Sequence, residues 1–341
     1  MAKKRLSLLN KILFLINNIV AIALVISFFI PNLIPEKFGM LALWSLLTPI
    51  FIIVNFCFVI YWILIGFKKQ LILSFFVLLL SFLLLPPVYK LYGSTNKTSK
   101  DSVTIMTYNV RKFNRYKWID IENIDARIAD FITTENPDIV ALQEFRATKN
   151  FDLQYPYYFN YRAKNKKPSG LIIYSKYPIL HKGLLGNHNF SSGIQYIDIA
   201  KKNDTLRIYN FHLESLGIVP DKEYFGHKNS ERLVKRLTRS FKTQQAQIDT
   251  LNAHIKKCHY KIVLVGDMNN TAYSWAYKNI KNDFQDSFLE TGKGFGKTYT
   301  LKKMPLRIDY IFADKRINFI HHKNYGIRYS DHYPLSATIN F

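Results

Sequence analysis

The chain has 341 residues, room for about two structural units, and a formal net charge of +23 from 47 Lys and Arg against 24 Asp and Glu. Composition changes sharply near residue 100: residues 1–100 hold ten Lys and Arg and one acidic residue, the remainder 37 and 23. Cys57 and Cys258 fall one on each side of that change, which excludes a disulfide within the second part. The +14 of that second part draws it to anionic lipid headgroups or polyanions, although simple solvation explains the charge equally well.

In chain order, apolar stretches at about 11–30, 41–65 and 70–89 contain almost no charge. A bilayer-spanning helix needs roughly 20 mostly apolar residues, so three transmembrane helices are predicted within residues 1–92. Pro31, Pro35 and Gly39, then Gly66, then Pro86 and Pro87 interrupt the pattern where turns belong. Asn17, Asn18, Asn55 and Pro49 lie inside the stretches and are expected to face neighbouring helices. A cleaved signal peptide is the other reading of the first stretch, but no small-residue cleavage site follows it. Lys3, Lys4, Arg5, Lys11, Lys68 and Lys69 flank one side, against Lys37, Lys90, Lys97 and Lys100 on the other. The positive-inside rule then puts the amino terminus in the cytoplasm and the following domain outside it. The expectation is an integral protein of the inner or plasma membrane, in contact with the lipid bilayer through three helices and with no protein partner.

Residues 93–101 are polar and read as a linker to a domain at 102–341. Strand-like runs recur there at 103–110, 138–144, 157–163, 171–179, 194–200, 206–214, 261–267, 308–313, 317–322 and 333–341. Ile121, Ile124, Ile128, Phe131 and Ile132 repeat at helical spacing and predict an amphipathic helix over 120–135. A second, over 228–257, has Leu237, Phe241, Ile248, Leu251 and Ile255 on one side and Lys228, Arg232, Lys235, Arg239 and Lys242 on another. That basic stripe suits anionic lipid or a nucleic-acid backbone, and a solvated helix face accounts for it almost as well. Many strands with few helices imply an α+β architecture of two sheets packed face to face with helices outside.

Five polar motifs follow or close these runs: Tyr108-Asn109-Val110, Leu142-Gln143-Glu144, Phe211-His212-Leu213, Gly266-Asp267-Met268-Asn269 and Ser330-Asp331-His332. Each buried polar group without a partner costs roughly 1–3 kcal/mol, so five such breaks in apolar runs point to a shared pocket. Glu144, Asp331, Asp267, Asn109 and Asn269 offer hard oxygens without cysteine, which suits Mg²⁺ or Mn²⁺. No closely spaced His or Cys pair in the motifs supports zinc, and His321 and His322, on alternate faces of one strand, are expected to be structural or exposed. His212 and His332 remain to stabilise charge on a phosphoryl centre while a carboxylate aligns water, and Asp309 can pair with His332. The chemistry this allows is metal-assisted hydrolysis of a phosphate ester.

In type, order and rough spacing the motifs resemble the endonuclease/exonuclease/phosphatase superfamily, the DNase I-like fold, over about residues 101–341. The resemblance implies a four-layer αββα sandwich and a membrane-anchored, bacterial-type member. It implies that Glu144 holds the metal with help from Asn109 and Asp331. It also implies that Asp267 positions or deprotonates the attacking water, that Asn269 orients Asp267 and the phosphate, and that His212 and His332, the latter paired with Asp309, stabilise the pentacoordinate phosphate. Tyr310 is expected to pack. Arg111 and Arg146 match positions that touch flanking phosphates, of DNA or of a lipid headgroup, and surface arginines at the rim are the plainer reading.

The sequence departs from secreted nucleases of this family where a glutamate would pair with His212, because Lys166, Lys167, Pro168, Ser169 and Gly170 stand there. The loop 217–227, with Ile218, Val219, Pro220, Tyr224 and Phe225, either shapes a pocket for a lipid or covers a sheet edge. The expected function is therefore that of a membrane-anchored, divalent-metal-dependent phosphodiesterase of endonuclease-like type. A phospholipid- or phosphoinositide-directed phosphodiesterase or phosphatase is the alternative, and a tethered anion-binding module without turnover is the alternative of another class.

Overall fold

The computed structural model describes residues 6–66, 68–94, 101–161, 170–186, 193–218, 227–301 and 304–341. Expectations resting on Lys3, Lys4, Arg5, Lys97, Lys100, most of the 93–101 linker, Lys166 to Ser169 and loop residues 219–226 lie outside the described residues.

The amino-terminal region forms α1 (Leu8–Ser27), a 3-10 turn (Ile30–Asn32), α2 (Pro35–Ala42), α3 (Trp44–Leu64) and α4 (Lys68–Leu84). The Ser7 hydroxyl caps α1 by accepting from the Asn10 N–H, and Pro35 opens α2, where a missing N–H costs nothing. Among the described residues, Leu8–Asn32 and Pro35–Leu64 are long and apolar enough to cross a membrane. The third expected span falls short: α4 has 17 residues, about 26 Å at 1.5 Å per residue, because Pro86 and Pro87 stop it before residue 89. α4 nevertheless packs on α1 and α3. Asn17 Nδ2 donates to Ser74 Oγ (2.8 Å), Ser74 Oγ to Asn55 Oδ1 (3.0 Å), and Trp62 Nε1 to Asn17 Oδ1 (2.7 Å). Polar groups lie inside this bundle, while Ile19, Phe56, Phe76 and Phe82 point outward and are exposed.

The second region is built from two six-stranded sheets. One has the order β13 (Asn318–Asn324), β14 (Leu335–Asn340), β1 (Val103–Asn109), β2 (Ile139–Phe145), β4 (Gly170–Ser175), β3 (Tyr157–Tyr161). The other runs β5 (Ile179–Leu185), β6 (Gly193–Lys201), β7 (Asp204–His212), β8 (Lys261–Asp267), β12 (Asp309–Asp314), β9 (Phe284–Asp286). Alternating residues, among them Ile105, Ala141, Ile208, Val263, Val265, Ile311 and Ile339, meet between the sheets as the main core. The outer face of the first sheet is covered by α6 (Ile124–Glu135) through Ile128 and Ile132, following a single turn α5 (Arg111–Asn114). The outer face of the second packs on α7 (His227–Ile255) and α8 (Trp275–Lys281) through Ile248, Leu251, Tyr277 and Ile280. The result is the expected α+β sandwich of two sheets between helical layers. A short α9 (Ser287–Thr291) and a two-stranded ribbon, β10 (Tyr299–Leu301) with β11 (Met304–Leu306), complete it.

Two parallel pairs set the functional end of the sandwich. β1 runs parallel to β2, and β7 to β8, so Asn109 lies opposite Gln143 and His212 opposite Asp267. β12 runs antiparallel to β8, which sets Asp309 opposite Asp267. Gly266 makes this register feasible: its φ is +140°, and a Cβ there would sit 1.9 Å from the Phe211 carbonyl oxygen.

The two regions are joined. α2 lies on α7 so closely that a Cβ at Gly39 would sit 2.7 Å from Thr238 Cγ2. Lys242, the last member of the basic stripe, pairs with Glu36 of α2 at 3.5 Å, while Arg232, Lys235 and Arg239 stay exposed; the side chain of Lys228 lies outside the described residues. Thr271 Oγ1 donates to the Ser45 carbonyl (3.0 Å) and Tyr273 O–H to that of Pro86 (3.1 Å). At the start of the expected linker, Ser94 Oγ donates to the Glu290 carbonyl at 3.0 Å.

Candidate active site

Asp267 ends β8 and is fully buried. Its Oδ2 accepts from Asn109 Nδ2 at 2.9 Å and its Oδ1 from the Asn269 backbone N–H at 2.7 Å. The same Oδ2 lies 3.6 Å from His212 Nε2 and 3.7 Å from His332 Nε2. Two histidines, one ending β7 and one in the segment between β13 and β14, therefore converge on one carboxylate.

His332 is held from behind. Its Nδ1 lies 2.9 Å from Asp309 Oδ2, and the Asp309 N–H is bound by the buried Thr298 hydroxyl at 3.0 Å. The Tyr299 ring sits 4.9 Å from the imidazole, centroid to centroid. Burial pushes the His332 imidazole down, but the Asp309 and Asp267 carboxylates outweigh it and carry its pKa up to about 10. Burial also raises Asp309, to about 6, against the opposing pull of His332. The attraction between the two groups favours an imidazolium facing a carboxylate. His212 differs: among the described residues its buried Nδ1 has no hydrogen-bond partner. The segment where the sequence lacks the nuclease glutamate lies outside the described residues, except for Gly170 at the start of β4.

Glu144 and Asp331 line the same cavity of about 250 Å³ as Asp267, Asn269 and His332. Asp331 pairs with Arg111 Nη1 at 2.8 Å, and Glu144 lies 3.8 Å from Lys112 Nζ. Those cations come from α5, whose four residues all have φ between 41° and 55°. Left-handed backbone costs roughly 1–2 kcal/mol per residue, so strain is concentrated beside the site. Glu144 and Asn269 share it, at φ 49° and 51°. Arg146 is half-buried and does not line the cavity, so the two expected phosphate-contacting arginines are not equivalent. Tyr310 packs, as expected, with its hydroxyl on the Asn270 and Arg307 carbonyls. His322 is structural: both nitrogens are engaged, by Ser287 Oγ at 2.9 Å and Asn324 Oδ1 at 3.0 Å, and His321 is exposed.

A family model described as the endonuclease/exonuclease/phosphatase family matches residues 106–332. This chain belongs to that family. A second model, described as a domain of unknown function, matches residues 10–88. No curated protein sequence matches the chain. Among solved structures, the endonuclease/exonuclease/phosphatase from Bacteroides vulgatus is similar with a TM-score of 0.54 at 18% identity, covering 71% of this chain and 99% of that one. The human Nocturnin catalytic domain with bound sulfate anion gives 0.53 at 15% identity, covering 73% and 97%. D. rerio TDP2 complexed with single strand DNA product gives 0.52 at 16% identity, covering 71% and 100%. At these identities the likeness is one of fold.

Within this family member, Asp267, Asp309 and His332 each bring a ligand atom within 4.8 Å of the others. Both Asp309 oxygens already face His332 Nδ1, at 3.2 and 2.9 Å, so the group has the geometry of an acid–base couple. Glu144 and Asp331 fit a hard cation better: they are half-buried carboxylates in one cavity, each beside a cationic side chain of α5. The Asn109 side-chain carbonyl accepts from the Arg111 N–H at 3.0 Å, and Asn109, fully buried, does not itself line the cavity. Sequence reasoning did not find Thr298, Tyr299 or Lys112. Nor did it find the floor of the site, where Gln143 Nε2 donates to Asn210 Oδ1 at 2.7 Å and ties the two sheets together.

Proposed function

We propose that this protein is a membrane-anchored, divalent-metal-dependent phosphodiesterase with endonuclease-like chemistry. What carries the reading is the carboxylate of Asp267, oriented by Asn109 and Asn269 and facing His212 and His332 at 3.6 and 3.7 Å. Such a carboxylate aligns a water and takes its proton as the oxygen adds to phosphorus. His332, kept cationic by Asp309, and His212 face the charge that develops on the phosphoryl oxygens, and Asn269 holds the Asp267 carboxylate in line. Mg²⁺ or Mn²⁺ held by Glu144 and Asp331, with Asn109 beside them, would supply Lewis-acid neutralisation of those oxygens.

The anchor is the amino-terminal helical bundle, in which Leu8–Asn32 and Pro35–Leu64 are long enough to span and the shorter α4 packs on α1 and α3. Support comes from its Ser74, which joins Asn17 and Asn55, from the outward apolar side chains, and from the distribution of Lys and Arg. A nucleic-acid substrate finds support in the DNA product held by the D. rerio TDP2 neighbour and in Arg111 at the cavity rim.

The test is turnover of bis(p-nitrophenyl) phosphate by the full-length protein in detergent, with Asp267→Asn alongside. We expect the variant to lose on the order of 10³-fold in kcat while keeping its melting temperature. Equal turnover in the two proteins would remove Asp267 from the chemistry, and no turnover in either would favour the tethered binding module.

A further inference from the structure

We propose that the ester hydrolysed here is a phospholipid presented at the bilayer surface, an inference that rests on the phosphodiesterase reading above. Leu46, in the first turn of α3, lines the cavity that contains Asp267, Glu144 and His332. A helix of the apolar anchor is thus part of the active-site wall. Leu216, Ile218, Met304 and Leu306 extend that wall, so one side of the cavity is polar and catalytic and the other is apolar. Leu46 and Ile218 also join Ala42, Leu216, Leu237 and Phe241 in one packed cluster, which makes the wall a fixed feature.

The size and continuity of the cavity agree with a lipid. About 250 Å³ lies at or below the low end of small-ligand pockets, room for a phosphate and part of a headgroup but not for acyl chains. A second cavity of about 70 Å³ shares Thr271, Met304 and Leu306 with the first and is lined on its far side by Pro49 and Ile53 of α3 and by Pro87 and Val88. Apolar wall residues therefore continue from the first cavity to the α3 side chains that line the second. A nucleic-acid strand needs basic or stacking groups on both flanks of the cleaved phosphate. Here Leu46 and Ile218 line the cavity together with Arg111 and Tyr299, and Arg146 does not line it, so basic groups do not flank the phosphate site throughout. The exposed Arg232, Lys235 and Arg239 of α7, whose neighbours Leu237 and Phe241 pack in the same cluster, suit an anionic leaflet. In the reaction the water oxygen bonds to phosphorus, the P–O bond to the departing alcohol breaks, and the water supplies both protons, so no co-reactant is required.

The experiment uses the full-length protein with Mg²⁺ and three substrates: vesicles of phosphatidylglycerol and phosphatidylcholine, a single-stranded oligonucleotide, and bis(p-nitrophenyl) phosphate. We expect phospholipid to be cleaved with kcat/KM about tenfold or more above the oligonucleotide. Leu46→Asp and Ile218→Asp should each lower the ratio of phospholipid to soluble-diester cleavage by about tenfold or more, since a charge in the apolar wall opposes docking of a lipid at the bilayer surface but does not exclude a small soluble ester. Two substitutions in separate segments guard against one misfolding, and diester turnover reports that the site is intact. Diester or oligonucleotide cleavage without phospholipid cleavage, or an unchanged ratio in both variants, overturns this inference and leaves the hydrolase reading standing. No turnover of any substrate removes the hydrolase reading beneath it as well.

Discussion

The helical anchor and the sandwich both bury polar side chains, but they use them differently. In the anchor, Asn17, Asn55, Ser74 and Trp62 are satisfied by one another and by helix carbonyls. At the end of the sandwich the buried groups hold one another in place yet keep capacity unused: Asp267, which lines the cavity, faces two imidazoles beyond hydrogen-bond distance, and His212 Nδ1 has no partner among the described residues. A polar group whose valences are all used stabilises a packing; one left partly unused can receive a ligand.

His322 offers the sharper way to break this comparison, because it is a fully engaged histidine inside the catalytic domain. Burial pushes its pKa down to about 4, against the opposing Asp286 carboxylate. A depressed folded-state pKa gives stability that is complete above 6.5 and is lost as pH falls through about 4. The full shift corresponds to about 3 kcal/mol, so chemical denaturation should show the domain weakening by roughly that much over this range. His322→Asn should flatten that part of the profile without abolishing turnover; a variant as inactive as Asp267→Asn would erase the distinction drawn here.

A smaller effect is expected in the anchor. Asn17→Leu removes hydrogen bonds to Ser74 and Trp62, and such interhelical bonds contribute about 0.6–2 kcal/mol. Thermal unfolding in detergent should fall by a few degrees while soluble-diester turnover stays within about twofold. Lost turnover would mean that the anchor network acts on the site.

The strands that carry the site were legible because each is an apolar run that ends in or near Asn, Glu, His or Asp, and the number of such breaks together with the family resemblance led to the expectation of a shared pocket. The segment 270–306 was not, since α8, α9, β9, β10 and β11 are too short for periodicity to show, and Thr298 and Tyr299 lie among them. β5 was hidden because the run at 171–179 bends at Tyr177-Pro178 and continues as a separate strand. The third span was overextended because apolar content continues past the two prolines that end α4. The ties of Thr271 to Ser45 and of Leu46 to the cavity join residues more than 200 apart in sequence, and no local pattern encodes them.

Metal dependence tests the central claim most directly. Full-length protein hydrolysing bis(p-nitrophenyl) phosphate should lose turnover on addition of a chelator and regain it with Mg²⁺ or Mn²⁺. Glu144→Gln should need a metal concentration about tenfold or more higher for half-maximal rate. Turnover indifferent to chelator, or a Glu144→Gln variant with an unchanged metal requirement, would contradict a metal-assisted centre built on these residues.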